Sequence, residues 1–231
     1  MYFLCSWKSA TDEKLQAQIA SIKDDDRFYA GWVYISRATR KIIGGLEKVF
    51  FTDAAHCVGN AKGTMYNFVG RDANRHIVII GQCHQTFDEC DETWNWFYEH
   101  LVKCLGKDLD LAYARIISDG DKGLENAINK NFKKAKQFLC TRHRKDHVRK
   151  HGNPADKHLF LRMARANNVD VFNESKARLS KSAREYLAKT DNARQYMLYC
   201  KELKGCTTQS MSESLNAAGI ELKYINEHKI L

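Results

Sequence analysis

The chain has 231 residues, enough for one or two domains with a sizeable buried core. Its 44% hydrophobic and 28% charged residues, single proline and 13 glycines describe a soluble globular protein and exclude long disordered linkers. No apolar run approaches the roughly 18 residues of a membrane span, and a net charge of +9 favours a polyanionic partner, with phosphates foremost.

The opening MYFLCSWKSATDEKL has too short an apolar stretch and no basic n-region, which makes it a poor signal peptide. Eight scattered cysteines (Cys5, Cys57, Cys83, Cys90, Cys104, Cys140, Cys200, Cys206) form no CxxC pair, so reduced thiols are expected rather than disulfides or a CxxC-type zinc finger. Leu15, Ile19 and Ile22 predict a short helix over 11–23, and DDDR breaks it. RFYAGWVYISRATRK alternates as a strand or hairpin, and EKVFFTD is a compact apolar strand ending on Asp53. Two β-rich runs around the turn at Asp72–Asn74 predict a hairpin over 65–83. A helix near 89–105 follows, with Trp94, Phe97, Leu101 and Val102 on its apolar face.

Strand AYARIIS, helix DKGLENAINKNF and strand KQFLC then read as a parallel βαβ unit, followed by a basic helix to about His151. A three-stranded meander joined to a βαβ unit predicts a mixed α/β sheet. From Pro154 to about Leu203 the strand signal vanishes. Leu179, Ala183, Tyr186 and Leu187, then Tyr196, Met197 and Cys200, repeat at helical spacing. A last helix is expected from about Ser212.

Asp53 and Asp119 share one description, since each terminates an apolar strand. For Asp119 and Asp121 in SDGD the competing reading is a cap on the next helix, a role that Asp121 is expected to keep at the helix start. If the two strands are neighbours, paired carboxylates repel unless a divalent cation such as Mg²⁺ or Mn²⁺ lies between them. Two-metal phosphate chemistry usually takes a third carboxylate, and Glu213 is a candidate. The competing role for Glu213 is a capping box with Ser210.

Lys133, Lys134, Lys136, Arg142, Arg144, Lys145, Arg149 and Lys150 form the basic stretch expected to hold phosphates. Cys140 and His143, with His147 and His151 at helical intervals, leave two readings open. One is a zinc site; the other makes Cys140 a small buried hydrophobe and sets His143 near the carboxylates. Trp94 and Trp96 are read as packing residues, and His56 and His84 as strand-end residues. His56, three positions after Asp53, could also lie near substrate.

Four pieces in order, FFTDAAHC, GRDANRHIVIIGQC, IISDGDKGLENAINKNFKKAKQFLCTRH and TTQSMSESLNAA, resemble the transposase core of Mutator-like elements. The resemblance covers roughly 45–218 and implies a DDE-type, RNase H-like fold with a mixed five-stranded sheet and an all-helical insertion before the last helix. It divides the chain into an N-terminal extension (1–44), the first part of the core (45–151), the insertion (152–205) and a last core helix (206–231). It implies metal-dependent DNA cleavage and transfer, with Asp53, Asp119 and Glu213 as catalytic ligands of two Mg²⁺ or Mn²⁺ ions. His143 is matched by the Cys-x-x-His signature and Asn216 by the stretch that carries Glu213. With Lys145, Arg149 and Lys150, His143 is expected to contact DNA. Also implied are a homo-oligomer on DNA, no membrane partner and a nuclear location. The family's frequent zinc modules before and after the core have no counterpart in this sequence. That favours the rival expectation of a domesticated or truncated, inactive core acting as a DNA- or protein-binding module.

Overall fold

The computed structural model of the chain describes residues 3–6, 31–35, 37–57, 63–85, 88–106, 111–120, 123–200, 203 and 205–208. The helices expected over 11–23 and from Ser212, together with Asp121, Glu213 and Asn216, lie outside these residues. The strands are β1 (Phe3–Ser6), β2 (Gly31–Ile35), β3 (Val49–His56), β4 (Thr64–Arg71), β5 (Ile77–Gln85), β6 (Arg115–Ser118) and β7 (Lys136–Leu139). They form one sheet in the order β1-β2-β5-β4-β3-β6-β7. The five strands β5-β4-β3-β6-β7 carry the expected mixed RNase H-like order. β3, β4 and β5 are antiparallel neighbours, and β3, β6 and β7 run parallel. Of the stretch 27–41 expected as a strand or hairpin, Gly31–Ile35 forms β2 while Arg37–Ile42 turns helical, and the pairing of β1 and β2 onto the β5 edge is an addition to the five-stranded expectation.

Among the described residues seven α-helices flank the sheet: α1 (Arg37–Ile42), α2 (Asp91–Leu105), α3 (Leu124–Asn131), α4 (Thr141–His151), α5 (Asp156–Ala164), α6 (Val169–Arg178) and α7 (Lys181–Ala188). Trp94, Phe97, Tyr98 and Leu101 recur at three-to-four spacing along α2, so that helix presents one apolar stripe. The stripe packs with Ala127 and Ile128 of α3 against Phe50, Tyr66, Phe68 and Ile80 of the sheet. Burying each such large apolar side chain contributes about 1.5–3 kcal/mol. The packing reading of Trp94 therefore holds.

The other face of the sheet presents Val49, Phe51, Val69, Ile117, Phe138 and Cys140, and packs against Cys200 and Leu203. The helical block has a cluster of its own, in which Val148 of α4 meets Phe160, Met163, Phe172, Leu179, Ala183, Leu187 and Tyr196. The repeat expected through this block is broken up. Leu179 is the C-cap of α6, and Met197 falls in a 3₁₀ turn rather than an α-helix. No helix among the described residues is long and apolar enough to cross a membrane.

Candidate active site at the ends of β3 and β6

The register of two parallel strands brings the first two aspartates together. Val49, Phe50 and Phe51 of β3 pair with Arg115, Ile116 and Ile117 of β6. Asp53 and Asp119 each stand two residues beyond the Phe51–Ile117 pair. Side chains alternate along a strand, so Asp53 shares the face of Val49 and Phe51, and Asp119 continues the face of Ile117. Hydrogen-bonded strands lie about 4.8 Å apart, which makes the two aspartates backbone neighbours. β3 itself does not stop at Asp53, because its pairing with β4 continues to His56 opposite Thr64. Only its parallel partner β6 ends there. An offset of three also puts exposed His56 on the face away from Asp53, which removes the substrate-proximal reading of that histidine.

The turn after Asp119 depends on glycine. Gly120 has φ +87°, and a Cβ built on it would lie 2.3 Å from Leu139 Cδ2. Gly123, at φ +75°, is the N-cap of α3, and a Cβ there would fall 1.3 Å from Asp91 Oδ1. The capping position is thus taken by a glycine, and neither aspartate of SDGD occupies it. Asp119 is left at the strand end.

Behind Asp53 the same face carries a row of amides. Asp53 faces Asn67 on β4, and Asn67 faces Gln82 on β5. Gln82 Nε2 donates to Asn67 Oδ1 at 2.8 Å, which orients the Asn67 amide. A β-bulge between Phe68 and Val69 makes this possible. Val69 pairs with Ile79, so an unbroken ladder would put Gly81 opposite Asn67; after the bulge Gln82 stands there. The sequence reading missed both amides, although each is a polar residue within an apolar run, MYNFV and IIGQC.

Helix α2 supports the strand from the opposite side. Tyr98 donates its hydroxyl to Thr52 Oγ1 at 3.2 Å, and Thr52 Oγ1 donates to the Asn67 carbonyl at 2.9 Å. Burial pushes the Tyr98 phenol well above its ordinary pKa. The Thr52 bond opposes the shift, and the negative charge of Asp119 adds to it. Tyr98 therefore bonds the residue next to Asp53 while lying within electrostatic reach of Asp119.

α4 starts where β7 ends, at the same end of the sheet. Thr141 donates its N–H and its hydroxyl to the Thr207 carbonyl at 2.8 and 3.0 Å, anchoring the first Thr of TTQSMSESLN there. Arg142, Arg149 and Lys150 are exposed on α4, and Lys145 is half-buried beside Asp146 at 3.7 Å. Arg144 departs from the expected phosphate-binding stretch. Its guanidinium donates to Tyr186 Oη and Thr190 Oγ1, both at 2.6 Å, and lies 4.4 Å from the Tyr186 ring centroid. His147 and His151 stack on the same ring, with centroids 6.5 and 4.2 Å away. The histidine stripe thus faces an aromatic ring of α7. Cys140 is fully buried among Phe51, Ile117 and Phe138. His143, in the first turn of α4, is half-buried. Among the described residues no three His, Cys, Asp or Glu side chains form a metal-holding group; the third expected carboxylate, Glu213, is outside them.

A mixed RNase H-like sheet, with an aspartate two residues beyond the last pair on each of two parallel neighbours, defines the class of fold. Residues 49–146, from the start of β3 into α4, match the family model of the MULE transposase domain. No curated protein matches the chain.

Proposed function

We propose that the chain is the catalytic core of a DDE-type transposase, cleaving and transferring DNA strands in a reaction dependent on a divalent metal. The observation that supports this reading is the register of β3 and β6, in which Asp53 and Asp119 each follow by two residues the last pair, Phe51–Ile117. Two carboxylates so close repel, and their all-oxygen donor set suits Mg²⁺ or Mn²⁺. Glu213, six residues beyond the anchored Thr207, would complete the set. Asp53, Asp119 and Glu213 would hold two such ions, whose Lewis acidity would supply activation of the attacking water or 3′-hydroxyl and stabilisation of the leaving oxygen at phosphorus.

The chain's own residues do the rest. Gly120 lets the backbone turn away directly after Asp119, and on β4 Asp53 faces the neutral Asn67 amide instead of another carboxylate. Lys145, Arg149 and Lys150 hold the DNA backbone without reading bases, with His143 at the site end of the same helix. In this reading the chain acts in the nucleus, as an oligomer assembled on DNA.

Nicking of supercoiled plasmid by the purified chain in Mg²⁺ or Mn²⁺ tests the proposal. Asp53→Asn and Asp119→Asn should each lower nicking about 1,000-fold or more, as loss of one member of a catalytic unit does, with DNA binding retained. Glu213→Gln separates a metal ligand from a capping glutamate, because glutamine serves equally well in a capping box. Nicking at the wild-type rate by Glu213→Gln would remove that residue from the site. Metal-independent DNA binding without any nicking would establish the inactive binding module instead.

A further inference from the structure

We infer that Arg194, in the helical insertion, is a positioning residue that holds both sides of the turn carrying Asp119. The inference deepens the catalytic reading above and rests on it for its functional consequence. Arg194 ends the 3₁₀ turn Asn192–Arg194, which Asp191 caps by accepting a hydrogen bond from the Ala193 N–H at 3.0 Å. Its guanidinium divides between two elements of the core. Nη1 lies 2.7 Å from Glu125 Oε1, in the first turn of α3. Nη2 donates to Gln137 Oε1 on β7, and Gln137 Nε2 in turn donates to Ser118 Oγ at 2.6 Å.

Ser118 is the last residue of β6 and immediately precedes Asp119; Glu125 is the second residue of α3 and follows the turn. One guanidinium therefore reaches the strand side of the turn through Gln137 and the helix side directly. Ser118 is fully buried and Gln137 nearly so, which makes their hydrogen bond costly to lose. The chemistry allows only one orientation for Gln137. Arginine has donors alone, so the amide oxygen must face Arg194 and the amide nitrogen is left for Ser118. A lysine ammonium is a single point charge and lacks the planar fork that serves two acceptors in fixed directions. The insertion thus does more than sit beside the core, because it supplies the cation that fixes the geometry around a catalytic carboxylate.

Two measurements test this. Hydrogen exchange reads the turn directly through two bonded amides that bracket it: Cys140 N–H to the Ser118 carbonyl at 2.7 Å, and Ala127 N–H to the Gly123 carbonyl at 3.0 Å. Arg194→Met should speed exchange at Cys140 and Ala127 about tenfold, the scale of losing a charge-assisted hydrogen bond, with the amides of α2 unchanged. In the plasmid assay the same variant should need about tenfold more Mn²⁺ for half-maximal nicking, at unchanged DNA affinity. Arg194→Lys should recover only part of either effect. Glu125→Gln removes the ionic arm and leaves Gln137 in place, so it should speed exchange at Ala127 less than Arg194→Met does and leave Cys140 unchanged, and it serves if Arg194→Met fails to fold. Unchanged exchange at both amides in Arg194→Met, with loosening confined to α5–α7, would overturn the inference. A wild-type chain that neither nicks DNA nor binds Mn²⁺ would overturn the catalytic reading instead, and the exchange comparison would still decide the role of Arg194 in holding the turn.

Discussion

Asn67 is the residue whose chemistry bears most directly on Asp53, since the two face each other across the β3–β4 ladder. Asn67→Asp keeps the shape and still accepts from Gln82, but it puts another carboxylate beside the pair. Like charges this close raise one another's pKa. The acidic limb of the pH–rate profile for Mg²⁺-dependent nicking should therefore move up by about one unit. An unchanged profile would mean that Asn67 lies outside the electrostatic reach of the site. Gly120 sets a different limit. An alanine there takes the strain of φ +87° and the overlap with Leu139 together. Gly120→Ala should cost about 2 kcal/mol or more in denaturant unfolding.

At the scale of elements, α4 has two sides with separable jobs. Replacing Lys145, Arg149 and Lys150 with alanine should lower the slope of log K against log salt by up to about 3 for duplex DNA, equally for unrelated sequences. Arg144→Ala should leave that slope alone and instead destabilise the chain by about 2–3 kcal/mol, since it loses two hydrogen bonds and a ring contact to α7 and its flank. This division was hidden in the sequence, where Arg144 is one of eight basic residues in a run. Tyr186, which decides the matter, lies 42 residues away. The strands β3 to β7 and helices α2 to α4 were legible, because each is a short apolar run or a stripe at helical spacing bounded by turn residues. The adjacency of Asp53 and Asp119 was legible as a condition on strand order. The Asn67–Gln82 contact was not, because a single-residue bulge changes the register and leaves no mark in local composition. The caps of SDGD were misread for a similar reason: a glycine at positive φ took the place that propensity assigns to aspartate.

At the scale of the whole molecule, the insertion is held together at Asp156. Its buried carboxylate accepts from Ser180 N–H at 3.0 Å, Ser180 Oγ at 2.6 Å and Asn153 N–H at 2.9 Å, joining the end of α4 to the starts of α5 and α7. Burial works to raise its pKa, but the hydrogen bonds from Ser180 and Asn153 prevail and hold it below the ordinary carboxylate value. A depressed folded-state pKa stabilises the fold above the unfolded value, about 3.9 for Asp, and that stability is lost as pH falls through the folded pKa. Thermal stability of the wild type should accordingly fall below about pH 4. Asp156→Asn should lose about 2 kcal/mol at neutral pH and show a weaker acid dependence. An equally steep acid limb in the variant would assign it to other carboxylates.

The bond between Thr141 and Thr207 joins residues 66 positions apart, so the chain leaves the core and returns to it at nearly one point. A detour whose two ends are already pinned together can change in length at little thermodynamic expense, since doubling a flexible loop adds only about 0.6 kcal/mol of closure entropy. The core can therefore tolerate large differences in the size of whatever is carried between those two threonines, provided that the replacement still delivers a cation to Glu125 and Gln137.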